Sequence, residues 1–275
     1  MWDTLTHRWF KIPYALHVST YSKAKKPRAT ILFIHGIGNS GAAWEGVIAQ
    51  LPDDLRLVTI DLLGFGESKR PAWLVYDAKT QARSVLATYL KLRLSGKVIV
   101  VGHSLGALVA IEIAKRYPLL VKALVLYGPP FYKVDATKKY LLASSDKLLR
   151  DLYRLVKNHP HETVKIAALA LKLGLVNKTF RLTHETAPAY VNALEASIIN
   201  QTSLSDALKI TAPTQIIYGR FDPVVLLKNL RFIEKHNPRA HVTTILAAHE
   251  VQGTVATKAV VDAILEAVNN KRGVI

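Results

Sequence analysis

Residues 98–117, VIVVGHSLGALVAIEIAKRY, decide the fold of this chain. The apolar run 98–101 predicts a buried strand, and residues 107–117 have the pattern of a helix. The five residues between them, GHSLG at 102–106, must make a sharp turn, because glycine allows backbone approaches that a Cβ atom would obstruct. A serine at the apex of a strand–turn–helix unit projects its hydroxyl away from the sheet. Ser104 is therefore the candidate nucleophile, and a merely structural turn is the alternative.

Short apolar runs alternate with helical patterns along much of the chain. Most of these runs are rich in leucine and β-branched residues without polar alternation, as expected of strands that are buried on both faces. This alternation predicts an α/β protein with a mostly parallel, eight-stranded sheet flanked by helices. The predicted strands cover residues 29–34, 56–60, 97–101, 123–127, 215–218 and 242–246, preceded by a hairpin-like pair at 9–12 and 14–20 on the sheet edge.

The alternation stops between Gly-Pro-Pro at 128–130 and Thr-Ala-Pro at 211–213. The segment between them shows three helical patterns. One of these, residues 164–176, is apolar almost all round, so we expect it to be covered on more than one side. A helical insertion between two strands is a candidate lid, and a structural packing layer is the alternative. We therefore assign residues 1–128 and 211–275 to the core, and 129–210 to a helical lid inserted after the sixth strand.

The composition is that of a globular protein. Half of the 275 residues are hydrophobic, and a chain of this length can bury one large core. The absence of cysteine excludes disulfides and thiolate metal sites, and it is compatible with a reducing cytoplasm. The N-terminus does not have the apolar core of a signal peptide, and the most apolar stretch, 98–114, is interrupted by glycines and polar residues. We expect a cytoplasmic protein without stable membrane insertion.

The formal net charge of +17 is distributed along the chain and is not concentrated in one tail. One small basic cluster occupies residues 23–28, and a broader one occupies residues 69–97. Nucleic-acid modules usually combine such charge with a stacking or groove-reading element, which this sequence does not show. We therefore predict a basic solvated surface and no nucleic-acid partner. Attraction toward anionic surfaces or substrates is the alternative.

A serine hydroxyl needs a base, and the base needs a group that orients it. Asp222 lies in the turn after the predicted strand 215–218, and His249 follows the predicted strand 242–246. The chain order Ser104, Asp222, His249 is the order of one class of serine hydrolases and differs from the other common orders.

On these motifs the chain resembles the α/β-hydrolase superfamily, in the lidded serine-hydrolase branch that contains carboxylesterases and carbon–carbon bond hydrolases. The resemblance covers most of the chain and is weakest in the lid. It implies that Ser104 attacks an acyl carbon, that His249 takes the serine proton and passes it to the leaving group, and that Asp222 holds the imidazole. This mechanism requires neither a cofactor nor a metal ion.

The oxyanion that forms in such a reaction needs two preorganised donors, usually backbone N–H groups. One should be that of Leu105, directly after the nucleophile. The resemblance places the other at Ile37, in the turn His-Gly-Ile-Gly at 35–38. The segment 61–68, DLLGFGES, matches another turn of the family, and we assign it a structural role without chemistry.

Other acids and histidines have alternative interpretations. Asp135 is a rival triad acid, because some relatives draw the acid from that position, and Glu250 is a weaker rival. We expect His103, inside the turn, to be packed or hydrogen-bonded. His159 and His161 have no partner pair at metal-ligand spacing, so a surface loop is expected there and not a metal site.

The serine at position 104 reduces the number of reaction types that the resemblance allows. Epoxide hydrolases and haloalkane dehalogenases of this fold carry aspartate there. Meta-cleavage hydrolases typically have asparagine before the serine and tryptophan after the histidine, where this chain has His103 and Glu250. We therefore expect a hydrolase of small or medium carboxylic esters with an apolar or aromatic acyl group. A carbon–carbon bond hydrolase, a lactonase or thioesterase, and a non-catalytic binding module are the alternatives.

Overall fold

The computed structural model describes residues 2, 5–22, 24, 26–132 and 147–270. Within these residues the backbone forms one sheet of seven strands. The strands are β1 (His17–Tyr21), β2 (Thr30–Ile34), β3 (Arg56–Asp61), β4 (Val98–His103), β5 (Val121–Tyr127), β6 (Thr214–Gly219) and β7 (Ala240–Ile245).

Helices connect these strands on both sides of the sheet. The α-helices are α1 (Glu45–Ile48), α2 (Ala78–Lys91), α3 (Leu105–Arg116), α4 (Lys147–Asn158), α5 (Pro160–Lys172), α6 (Ala187–Ala193), α7 (Ser203–Ala207), α8 (Leu227–His236) and α9 (Gly253–Asn269). A 3₁₀ turn at Gly41–Trp44 leads into α1, and Leu5–Trp9 and Leu194–Ile199 are π-helical. In the described part of the chain, no helix has both the length and the apolar character needed to cross a bilayer.

The strands run in the order β1-β3-β2-β4-β5-β6-β7. β1 pairs antiparallel with β3, and every other neighbouring pair is parallel. The order reverses direction between β2 and β4, so their carboxyl ends form the crevice where open α/β sheets bind ligands. The turns that follow β2, β4, β6 and β7 all open onto this one edge of the sheet.

Both faces of the central strands are apolar. Along β2, Ile31 and Phe33 pack in a cluster with α1 and α9, whereas Leu32 and Ile34 pack in a second cluster with α2, α3 and α8. Because successive side chains of a strand point to opposite faces, an unbroken apolar run fits a strand that helices cover on both sides. The predicted α/β architecture is confirmed.

The edge of the sheet differs from the prediction. Residues 9–12 form no strand. The chain makes a π-helical turn at Leu5–Trp9, and the Phe10 amide donates to the Leu5 carbonyl. Lys11 has a φ of 54° and Pro13 has no N–H group, so this segment cannot continue a ladder. The eight-stranded prediction was therefore one strand too many for the described residues, and the edge strand is β1.

The helices α4 to α7 lie between β5 and β6, so the insertion follows the fifth strand and not the sixth. Part of the first predicted helical pattern, including Leu141 and Leu142, lies outside the described residues. The prediction that residues 164–176 are covered on several sides was wrong. Ile166, Leu169 and Leu173 are all more than half exposed, because α5 packs with one face only.

A buried carboxylate joins three segments near the sheet edge. Asp61, at the end of β3, accepts hydrogen bonds from the Ser19 hydroxyl at 2.7 Å and the His17 ring at 2.9 Å. It also accepts from the backbone N–H groups of Gly41 at 2.7 Å and Glu67 at 2.9 Å. Burial alone would raise the pKa of Asp61, but these hydrogen bonds outweigh it and hold the pKa below its usual value.

We expect Asp61→Asn to lower the free energy of unfolding by about 2 kcal/mol at pH 7, because an amide cannot accept all four hydrogen bonds. A carboxylate with a depressed pKa stabilises the fold above the pKa of the unfolded chain. That stability is lost as the pH falls through the folded-state pKa, so the difference between the two proteins should narrow below about pH 4.

Urea unfolding followed by circular dichroism measures both effects. The matched control is Asp53→Asn at an exposed aspartate, which should change stability by less than about 0.5 kcal/mol. A pH-independent loss would contradict this interpretation.

Candidate active site

Ser104 stands between the last residue of β4 and the first residue of α3. Its backbone has φ 51° and ψ −116°, a strained conformation for a residue other than glycine. The two glycines of the turn allow the close packing around it. A Cβ atom on Gly102 would lie 2.5 Å from the Gly106 carbonyl oxygen, and one on Gly106 would lie 2.2 Å from the Ile34 carbonyl oxygen. The turn therefore has the geometry that the sequence predicted.

The structure brings Ser104, His249 and Asp222 together in one chain of hydrogen bonds. His249 Nε2 lies 3.1 Å from Ser104 Oγ, and His249 Nδ1 lies 2.7 Å from Asp222 Oδ2. The second carboxylate oxygen of Asp222 accepts from the backbone N–H groups of Val224 and Val225, at 2.8 and 3.1 Å. Every partner in this chain follows the carboxyl end of β4, β6 or β7.

Of the two rival acids, Asp135 lies outside the described residues. Glu250 is described, but the Nδ1 atom of His249 is engaged by Asp222.

Opposing effects set the proton affinity of His249. Burial alone would lower the pKa of its imidazole. The hydrogen bond and the charge of Asp222, together with the charge of Glu250, outweigh burial and raise the pKa above its ordinary value. The neighbouring carboxylates thus stabilise the imidazolium form, which a base must adopt when it accepts a proton.

His103 and Tyr127 hold the loop that carries His249. The Nε2–H group of His103 donates to the backbone carbonyl of His249 at 2.9 Å, and the Tyr127 hydroxyl donates to the Ala248 carbonyl at 2.9 Å. Burial lowers the pKa of His103 to about 3, so its ring stays neutral beside His249, with the ring centroids 5.0 Å apart. His103 is hydrogen-bonded, as expected, and it positions the histidine loop.

The turn after β2 is held by a second buried histidine. His35 Nε2 accepts from the Leu62 N–H group at 2.9 Å, so Nδ1 carries the proton and donates to the Gly36 carbonyl at 2.7 Å. The Asn39 N–H group also donates to that carbonyl. In a trans peptide the C=O and N–H groups point in opposite directions. Fixing the Gly36 carbonyl therefore directs the Ile37 N–H group the other way.

The two residues predicted to supply oxyanion donors are Ile37 and Leu105. Ile37 lines the same cavity as Ser104. Leu105 is fully buried and is the first residue of α3, so its N–H group is one of those that a helix leaves without an intrahelical partner. Both backbone positions can therefore supply donors near Ser104, although neither side chain has a polar group.

A cavity of about 260 Å³ opens at Ser104 and His249. The helices between β5 and β6 supply much of its wall, which is mostly apolar. The apolar lining residues include Leu155, Val156, Ala167, Phe180, Leu182, Leu194 and Ile198. Such a wall suits a hydrocarbon group.

The sequence interpretation missed two polar residues of this cavity. Glu250 and the buried Asn39 both line it, and the Asn39 side chain lies close enough to favour the charged form of the Glu250 carboxyl. Burial raises the pKa of Glu250. The position of Glu250 directly after His249 and of Asn39 directly after the turn 35–38 was the available signal. Sequence adjacency alone did not show that both side chains turn into the cavity.

His159, His161 and His184 are not among the residues that line this cavity. His161 lies in α5 and His159 directly precedes it, so the surface loop expected there is wrong for His161. His159 Nδ1 is 4.0 Å from the Glu162 carboxylate, and the rings of His161 and His184 are 4.5 Å apart. Within the described ranges, no group of three or more histidine, cysteine or acidic side chains is arranged to hold a metal ion.

Comparison with known proteins agrees with this architecture. A solved esterase, EaEST from Exiguobacterium antarcticum, superposes with a TM-score of 0.73 at 17% identity and covers 91% of this chain and 99% of its own. The enol-lactonase from Burkholderia xenovorans LB400 superposes with a TM-score of 0.75 at 17% identity and covers 93% and 96%. At these identities the likeness shows the fold alone.

A curated relative matches a shorter part of the chain. The probable lysophospholipase BODYGUARD 4 from Arabidopsis thaliana is 34% identical over 110 residues, which are 39% of this chain and 26% of that protein. The match thus spans about a quarter of the relative's length. The model of the alpha/beta hydrolase fold family matches residues 29–254, which include the serine turn, Asp222 and His249. The chain therefore belongs to the alpha/beta hydrolase fold family.

Proposed function

We propose that this protein is a serine hydrolase that cleaves carboxylic esters through an acyl-enzyme intermediate. The observation that carries the proposal is the hydrogen-bond chain from Ser104 Oγ through His249 to Asp222, at the mouth of an apolar cavity. A serine alone would be a poor nucleophile. A base within hydrogen-bond reach, held in turn by a buried carboxylate, is the arrangement that activates it.

In the first half of the reaction, Ser104 Oγ bonds to the carbonyl carbon of the ester while His249 Nε2 takes the hydroxyl proton. The carbonyl oxygen becomes an oxyanion, which the N–H groups of Ile37 and Leu105 stabilise. The intermediate collapses, the bond between the carbonyl carbon and the alcohol oxygen breaks, and His249 gives its proton to the departing alcohol.

In the second half, a water molecule takes the place of the alcohol. His249 removes a proton from this water, whose oxygen attacks the acyl carbon of the ester formed with Ser104. Collapse of the second oxyanion breaks the bond to Ser104 Oγ, which recovers its proton from His249, and the acid departs. Asp222 keeps Nδ1 protonated throughout and stabilises the imidazolium.

The apolar cavity wall favours substrates whose acyl group is apolar or aromatic. Residues 129–210 are proposed as a lid, since their described helices supply much of that wall. The names of the Arabidopsis relative and of the two superposed structures refer to a lysophospholipase, an esterase and an enol-lactonase. The name of the Arabidopsis relative favours an ester, and His103 and Glu250, which stand where meta-cleavage hydrolases typically have asparagine and tryptophan, weigh against a carbon–carbon bond.

We expect Ser104→Ala to reduce the turnover of p-nitrophenyl butyrate by at least about 10⁴-fold, because the attacking oxygen is removed. In the wild-type protein a fluorophosphonate should add a single phosphonyl group to the peptide that contains Ser104. Mass spectrometry of the intact and digested protein checks this, with circular dichroism as the control for folding. Full turnover in a folded Ser104→Ala variant would overturn the assignment.

Asp222→Asn should lower kcat by roughly 10³- to 10⁴-fold, because an amide does not hold the required tautomer of His249. Asp135→Asn is the matched comparison and should leave kcat nearly unchanged. Steady-state kinetics on one p-nitrophenyl ester distinguishes the two acids. The opposite ranking would move the acid to Asp135.

The pH dependence of kcat/KM should have an acid limb above pH 6.5. A base with a raised pKa is neutral, and therefore active, only once the pH exceeds that raised value. Glu250→Gln removes one of the charges that raise the pKa of His249, so the limb should move to lower pH. Glu266→Gln, at an exposed position on α9, is the control and should not move it. A limb that stays in place in Glu250→Gln would show that the charge of Glu250 does not reach His249.

A further inference from the structure

Glu250 is an acid placed in a mostly apolar cavity. Its side chain lines the cavity beside Ser104 and also lines an outer depression of about 500 Å³, bounded by Leu175, Pro223 and Leu246. Burial raises the pKa of its carboxyl group. The triad does not use this carboxyl, since Asp222 engages His249 Nδ1. A partly buried carboxylate in an apolar wall can take a polar or cationic partner besides the His249 imidazole.

One partner is present in the protein. The Thr179 hydroxyl lies 2.9 Å from Asn39 Oδ1 and 2.8 Å from Asn177 Oδ1. Because a carboxylate only accepts hydrogen bonds, the group of Asn39 that can serve Glu250 is its amide NH₂. A carboxylate has about four lone-pair positions. Asn39 therefore orients the Glu250 carboxyl without using its full capacity to accept hydrogen bonds.

The position of Glu250 relative to the reacting atoms identifies which half of an ester it would meet. His249 must give its proton to the alcohol oxygen, so the alcohol half lies on the His249 side of Ser104. Glu250 is the next residue in the chain, and it lines the cavity together with His249. The outer depression continues from the same place. The acyl half is left with the apolar wall of the inserted helices.

We propose that Glu250 and Asn39 form a subsite for the alcohol half of the substrate, selecting esters whose alcohol carries a free hydroxyl or a cationic group. This inference rests on the proposed ester hydrolysis. A hydroxyl donates to the carboxylate, and a cation pairs with it. A phosphate or carboxylate on the alcohol is repelled at the same place. The substrate class is an ester of an apolar acid with a short polyol or a cationic alcohol.

The test uses four octanoate esters that share one acyl chain, each below its critical micelle concentration. They are propyl octanoate, 1-octanoylglycerol, octanoylcholine and 1-octanoylglycerol 3-phosphate. The readout is kcat/KM relative to propyl octanoate for the same protein. Since all four reactions use the same His249, this ratio cancels any shift in the pKa of the base.

For the wild-type protein we expect ratios of about 10 for the glycerol and choline esters, the size of one hydrogen bond to a charged acceptor, and a ratio well below 1 for the phosphate ester. Glu250→Leu should bring all three ratios near 1. Glu250→Gln keeps an acceptor without the charge, so it should retain most of the preference for the glycerol ester and lose the discrimination between choline and phosphate. If Glu250 had only a structural role, its substitution would lower kcat/KM for all four esters by the same factor.

Wild-type ratios near 1, or ratios that Glu250→Leu leaves unchanged, would overturn the subsite while ester hydrolysis itself stood. Failure to hydrolyse any of the four esters, with no fluorophosphonate labelling of Ser104, would overturn both proposals. Should Glu250→Leu not fold, Glu250→Gln decides the question through the choline and phosphate esters. Glu266→Gln on α9 is the matched control, and its ratios should equal those of the wild type.

Discussion

The backbone of α3 meets the backbone of β2 without any side chain between them. A methyl group on Gly106 would sit 2.2 Å from the Ile34 carbonyl oxygen, and one on Gly102 would sit 2.5 Å from the Gly106 carbonyl oxygen. This contact lets the helix begin directly at the edge of the sheet, in the crevice where the strand order reverses. The hydroxyl of Ser104, the N–H group of Leu105 and the turn that carries Ile37 consequently share one small volume. Packing of α3 against the sheet therefore brings these groups together.

Three histidines lie around Ser104, of which His35 and His103 are buried and His249 is partly exposed. Their proton affinities differ because their neighbours differ. His35 donates through Nδ1 to one carbonyl and accepts an N–H group through Nε2, and burial lowers its pKa. His103 has a single carbonyl as partner and is strongly shifted toward the neutral form. His249 has a hydrogen bond with Asp222 and also lies near Glu250, and its pKa moves upward. Two neutral rings therefore hold the turns in place, while the third is the one prepared to accept a proton.

Much of this arrangement could be predicted from the sequence, because it depends on short-range rules. Apolar runs without polar alternation locate strands buried on both faces, and the glycines at 102 and 106 locate a turn that only glycine permits. The order of Ser104, Asp222 and His249 then follows from where the strands end. The predictions that were wrong concern which neighbours a residue contacts in the folded protein. Residues 9–12 read as a strand until the positive φ of Lys11 interrupts them, and α5 reads as fully covered although one face packs. Asn39 and Glu250 line the same cavity although more than two hundred positions separate them, so no local pattern shows that they meet.

The positive φ of Ser104 has an evolutionary consequence. A residue with a Cβ atom in that conformation costs of order 1–3 kcal/mol, and glycine would occupy it with little strain. Selection for stability would favour glycine in any lineage that no longer used the hydroxyl. Serine in this conformation therefore has a cost in stability that use of its hydroxyl in a reaction would offset. Glycine at the same position in a descendant of this chain would indicate that the descendant keeps the fold but no longer uses a serine nucleophile.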